Sequence, residues 1–130
     1  MKLGLLIGFC VLCMGCATQD YYRLFNVANR SQTDINFVVI GTSELENSFG
    51  YLGSGGSGKG SSGCLIQMTP EYRVKWKENG LLKESPIDLA PYLGKMDEIK
   101  SFSFFYLGNG KWQITARRGN YEDSAIVSPE

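Results

Sequence analysis

The residue types best able to do acid–base or covalent chemistry are thinly spread in this chain, and histidine is absent altogether. Its absence removes the commonest general base and the commonest zinc ligand. Nucleophilic catalysis would fall to a serine beside a lysine or a pair of carboxylates, and no spacing singles out either. Glu44 with Glu46, and Asp97 with Glu98, read as solvated turn residues. Cys64, with no histidine to activate it, reads as a small buried apolar residue on a strand. No calcium-loop spacing is present, so neither a metal site nor a cofactor is expected. Gly53, four residues and then Gly58-Lys59 come close to a phosphate-binding loop. That loop needs a hydroxyl after its lysine and a helix behind it. Here Gly60 takes the hydroxyl position and Ser61 to Ile66 restarts as a strand. Nucleotide binding is not expected, and Gly53 to Gly63 reads as a flexible or bulged loop between strands.

Cys16 is the other residue with a chemical prospect. Met1-Lys2 is followed by an uninterrupted apolar and glycine run, Leu3 to Met14, ending at Gly15-Cys16, which is the layout of a secretory signal peptide. A helix of that length rises roughly 18 Å against a hydrocarbon core of about 30 Å, so a spanning helix is disfavoured. Leu12-Cys13-Met14-Gly15-Cys16 resembles a bacterial lipoprotein lipobox, with Cys13 where leucine is usual and Met14 bulkier than usual. The resemblance implies that residues 1–15 are a removable leader, that Cys16 carries the diacylglycerol thioether and a further fatty acyl chain such as palmitate, and that 16–21 is a tether. Several acyl chains, at about 0.8 kcal/mol per buried methylene, would hold the protein stably on a membrane. Ala17 in place of aspartate implies sorting to the periplasmic face of the outer membrane. The alternative is an ordinary secreted protein in which Cys16 and Cys64 are free to pair.

Positioning is left to one domain, residues 22–130. The full chain's 13 basic and 13 acidic side chains balance, which gives no general grip on nucleic-acid phosphates. Tyr22 to Asn29 and Asp34 to Thr42 read as strands; in the second, Ile35, Phe37 and Val39 share one face and Val38 and Ile40 the other. Tyr72 to Lys77 alternates, placing Tyr72, Val74 and Trp76 inward and Arg73, Lys75 and Lys77 outward, and ends in Asn79-Gly80. Ser101 to Leu107, Gly108-Asn109-Gly110 and Lys111 to Arg118 form a hairpin with a type I′ turn. Pro91 and Gly94 interrupt the single helical candidate, Pro86 to Ile99, leaving at most a short turn. Five to seven short strands predict a mainly all-β fold, a small antiparallel β-sandwich or curled sheet. The expected core includes Phe37, Val39, Val74, Trp76, Phe102, Phe104, Trp112 and Ile114. Arg73, Lys75 and Lys77 make a basic stripe that Lys59 joins if the glycine loop folds back. These four are the candidate partner-binding residues, against the plainer reading of a solvated face guarding an edge strand.

Five segments in order resemble a family of small bacterial lipoproteins defined by a domain of unknown function, some of which accompany lipase effectors of type VI secretion. They are Thr33 to Val39, the glycine stretch into Gly63-Cys64, Val74-Lys75-Trp76, Ile87 to Tyr92, and the Phe104 to Ile114 hairpin. The family often has two adjacent cysteines where this chain has Cys64-Leu65. The resemblance implies a non-enzymatic immunity protein that binds a lipase toxin and blocks its active site. A structural or accessory envelope lipoprotein is the alternative. Mass spectrometry of the mature N-terminus is expected to find acylated Cys16, and Cys16→Ala to release the protein without unfolding the domain; an unmodified Cys16 would remove the lipoprotein reading.

Overall fold

The computed structural model describes residues 21–56, 58–66, 71–118 and the backbone of 121–127. Cys16 and the leader lie outside the described residues. Nine strands follow in chain order: β1 Tyr21–Asn29, β2 Ile35–Gly41, β3 Glu46–Leu52, β4 Lys59–Ile66, β5 Glu71–Glu78, β6 Leu81–Asp88, then β7 Ser101–Gly108, β8 Lys111–Arg118 and β9 Tyr121–Val127. A single turn of helix, α1 (Ala90–Leu93), sits between β6 and β7, with Pro91 in its first turn and Gly94 closing it. The expected short turn is what forms there.

The strands make two sheets, ordered β4-β1-β7-β8-β9 and β3-β2-β5-β6, packed as an all-β sandwich. Neighbours run antiparallel except β1 and β7, which pair in parallel from Leu24 opposite Ser101 to Asn29 opposite Tyr106. Both tight hairpins follow from their Asn-Gly pairs: Asn79 and Gly80 have φ of 52° and 79°, Asn109 and Gly110 of 54° and 77°. Two successive positive φ values are the type I′ requirement.

The inner faces meet in an aromatic layer. Trp76 lies edge-on to Trp112 with centroids 5.6 Å apart, and Tyr106 touches both at 5.4 and 5.1 Å. Phe25, Phe102 and Phe104 continue it. At the end where β1 begins, Leu89, Tyr92, Met96 and Ile99 close the core. Arg23 holds that closure, its Nε and Nη2 donating to the carbonyls of Ile99 and Met96 at 2.6 and 2.7 Å.

Two expectations fail on β2. Phe37 is 59% exposed and Val39 only half-buried, whereas Ile35, Val38 and Ile40 are in the core. The register explains it: Ile35 opposes Leu52 but Val38 opposes Gly50, and Asn36 opposes Lys77 but Val39 opposes Lys75. One extra residue bulges out, reversing the side-chain phase along the rest of the strand. The glycine run also differs from a flexible loop. Lys59 to Ile66 is strand β4, and the turn before it is pinned, Gly55 N–H to Ser31 O at 2.7 Å and Gly56 N–H to Asn29 O at 2.6 Å.

Trp76→Ala and Trp112→Ala are each expected to cost about 3–5 kcal/mol in urea unfolding. Val38→Ala should cost about 2 kcal/mol and clearly more than Val39→Ala; the reverse order would contradict the bulge.

Candidate functional site

Glu78, the last residue of β5, is a buried carboxylate, and three donors converge on its Oε1. Tyr106 Oη donates at 2.5 Å, Lys83 Nζ at 3.2 Å and Trp76 Nε1 at 3.3 Å. Tyr106 Oη in turn accepts the Gly110 N–H at 3.0 Å. Burial opposes charge on Glu78, but these hydrogen bonds outweigh it and hold the carboxyl below its ordinary 4.5. Burial and the bond to Glu78 push Tyr106 up to about 12. Three donors on one oxygen, beneath the Gly108–Gly110 turn, tie this carboxylate to its neighbours. Its chemistry is cohesion: it joins β5 and β6 of one sheet to the β7–β8 hairpin of the other. Burial likewise pushes the free Cys64 thiol up, on β4 in the core as expected.

The four candidate cations do not form one stripe. Arg73, Lys75 and Lys77 do share the outer face of β5, but β5 lies between β2 and β6 and is no edge strand. Arg73 Nε pairs with Glu84, and Lys75 Nζ with Glu46 Oε2 at 3.3 Å. These half-exposed pairs contribute little stability, about 0–1 kcal/mol, but they cancel the field the stripe would project. Lys77 pairs with no carboxylate among the described residues; its Nζ stands 5.8 Å from the centre of the Phe37 ring. Glu46 and Glu98, read as solvated turn residues, each hold a cation, the latter Arg118 at 3.3 Å.

Lys59 belongs to the other sheet. It opens β4 opposite Ala28 of β1, and the loop before it folds toward Asn29 and Ser31, away from β5. There it meets a residue that pattern reasoning passed over. Arg30, just past β1, lays its guanidinium 3.7 Å over the Phe105 ring. Arg30, Lys59, Asn26, Ser61, Ser103 and Phe105 line a shallow groove of about 470 Å³ on the outer face of the five-stranded sheet. Ser61 Oγ donates to Asn26 Oδ1 at 2.6 Å across its floor. Neither cation pairs with a carboxylate among the described residues, so the groove is positive, polar and walled by an aromatic. Among those residues no three His, Cys, Asp or Glu side chains cluster as metal ligands. No helix among them is long and apolar enough to cross a membrane.

No protein-family model, curated protein or solved structure matches this chain.

The Glu78–Tyr106 pair sets a pH window. Glu78 titrates below its unfolded value, so its contribution is present above about pH 4.5 and is lost as pH falls through the lower folded pKa. Tyr106 titrates above its unfolded value of 10.0, so stability drains between pH 10 and about 12, on the order of 2 kcal/mol in all. Tyr106→Phe is expected to abolish most of the alkaline limb and cost about 1–3 kcal/mol at pH 7 through the orphaned Gly110 N–H. Urea titrations at stepped pH measure both.

Proposed function

We propose that this protein is a lipid-anchored immunity lipoprotein of the outer membrane's periplasmic face, which binds a type VI secretion lipase effector and blocks its active site. The observation carrying this reading is the ordered resemblance of five segments, Thr33 to Val39 through the Phe104 to Ile114 hairpin, to the lipoprotein family that accompanies such lipases. Two further features support it. The lipobox ending at Gly15-Cys16 suits export and acylation. The buried pair Glu78 with Tyr106 is engaged in holding the sheets together, which suits a domain that acts through its surface.

Inhibition by occlusion needs only a rigid body that presents complementary groups to a cleft. A two-sheet sandwich with pinned loops is such a body. Of the four candidate cations, Lys59 and Lys77 are those whose charge is not already cancelled, so they lead the encounter with an acidic partner surface, and Arg73 and Lys75 contribute through their ion-paired neighbours Glu84 and Glu46.

Co-purification with the product of the neighbouring gene, followed by a phospholipase assay, tests the reading. The expected result is a tight complex, loss of lipase activity at equimolar protein, and no hydrolysis by this protein alone. Cells lacking it should die when attacked by kin carrying the effector. If no neighbouring lipase binds and those cells survive, the immunity reading is wrong and the structural or accessory envelope lipoprotein replaces it.

A further inference from the structure

Phe37 is doubly anomalous. Its φ is 51°, the left-handed region, where the other non-glycine residues are Asn79 and Asn109 in hairpin turns. Asparagine tolerates that conformation; a bulky aromatic pays for it in steric strain. The same bulge that bends the backbone also carries the ring out of the core, to 59% exposure. Burying Ile35, Val38 and Ile40 together requires a bulge, but it does not require phenylalanine at its apex. Asparagine or glycine would relieve the strain and spare the exposure. The Asn36 side chain stabilises the bulge locally, its Oδ1 accepting the Phe37 N–H at 2.8 Å.

The surroundings repeat the theme. Lys77 lies opposite Asn36 on one side and Leu82 on the other, so the three outward positions form one row across β2, β5 and β6. Leu82 is 81% exposed, the most exposed large apolar side chain described. Lys77 stands between the two apolar groups, near the Phe37 ring and with no carboxylate partner among the described residues. Two protruding apolar side chains flanking an uncompensated cation, held on a sheet by a strained backbone, are the makings of a binding hot spot.

We propose that Phe37, Lys77 and Leu82 form the anchor by which this domain docks in the substrate mouth of its lipase partner, with Phe37 and Leu82 taking the place of acyl chains and Lys77 meeting an acidic group on the rim. The inference rests on the lipase-inhibitor reading. A lipase must bind acyl chains, so the entrance to its active site is apolar, and that is the surface two exposed apolar side chains complement. The patch also lies at the end of the sandwich where β1 finishes, since Asn29 binds the Leu52 carbonyl at the Ile35 end of β2. The chain enters at the other end, at Tyr21, roughly 25 Å away along a nine-residue strand. A tether anchored beyond Tyr21 thus leaves the patch facing away from its own bilayer, toward a soluble partner.

The test uses the full lipidated chain in nanodiscs and the purified neighbouring lipase, with affinity read by interferometry and stability by thermal unfolding. Phe37→Asn is expected to raise Tm by about 3–5 °C, as relief of strain predicts, while weakening lipase binding at least tenfold. Leu82→Ser, outside the core, should weaken binding similarly with Tm unchanged, and Lys77→Glu should weaken it most at low salt. If the unaltered chain binds the lipase and all three variants bind equally well, the anchor is wrong and the inhibitor reading stands. If the unaltered chain does not bind, both fall. A Phe37→Asn chain that binds weakly but melts lower would overturn the strain argument, and a chain-to-chain cross-link through residue 37 with lipase binding intact would make a second copy the occupant instead.

Discussion

The sandwich depends on a carboxylate set almost wholly inside it. Glu78 sits at the end of β5, and its Oε1 is shared by donors from its own strand, from β6 and from β7. A buried charge of this kind is tolerated only when its hydrogen bonds replace the lost hydration. Here they do so by reaching across the interface between sheets, which fixes the distance and angle at which Trp76, Trp112 and Tyr106 interlock. Apolar area alone would let two greasy faces slide; the directional bonds at Glu78 select one alignment. At the same end Asn29 does a parallel task, donating to the carbonyls of Thr33 and Leu52 and accepting from Ser31, so that the loops between β1, β2, β3 and β4 are stitched to the core.

Much of this was legible in the residues. The clean alternation of Tyr72 to Lys77 and of Ser101 to Arg118 marks β5, β7 and β8, and the Asn-Gly pairs mark their turns. Three strands, and the start of a fourth, were hidden for physical reasons. β4 reads as a strand from Ser61, but its opening Lys-Gly-Ser-Ser-Gly is a composition that ordinarily stays unstructured and here is zipped to β1 by a full antiparallel ladder. β6 carries Pro86 and exposes Leu81 and Leu82, which blurs its period; it survives as a strand because it is an edge, where a missing N–H is harmless. β3 and β9 carry too weak a pattern to stand out. On β2 both faces are apolar, so alternation could not decide between them, and the bulge reversed the simpler choice.

The surface was harder to read than the core, because charge depends on who stands next to whom. Arg73 and Lys75 look like a stripe only until β6 and β3 arrive alongside with Glu84 and Glu46. Lys59 looks like a fourth member only until its strand is seen to join the opposite sheet. Pairing across strands far apart in sequence erased one expected field and left two smaller ones, the Arg30–Lys59 groove and the lone cation at Lys77. Arg30 escaped notice since a residue in a turn gives no periodic signal, and its stacking on Phe105 is a tertiary event.

The parallel pairing of β1 with β7 bears on how the chain reaches this state. β1, the first of the described strands, lies inside its sheet, yet one of its two neighbours, β7, comes from the far side of the domain's sequence, as the match of Leu24 with Ser101 makes plain. The β5–β6 and β7–β8 hairpins close over a few residues. The β1–β7 ladder joins segments far apart in sequence, a high-contact-order step that is intrinsically slow. Until that ladder closes, the facing edges of β1 and β7 expose unpaired backbone, so the same pairing that completes the sheet is also the place where a folding chain is open to mispairing.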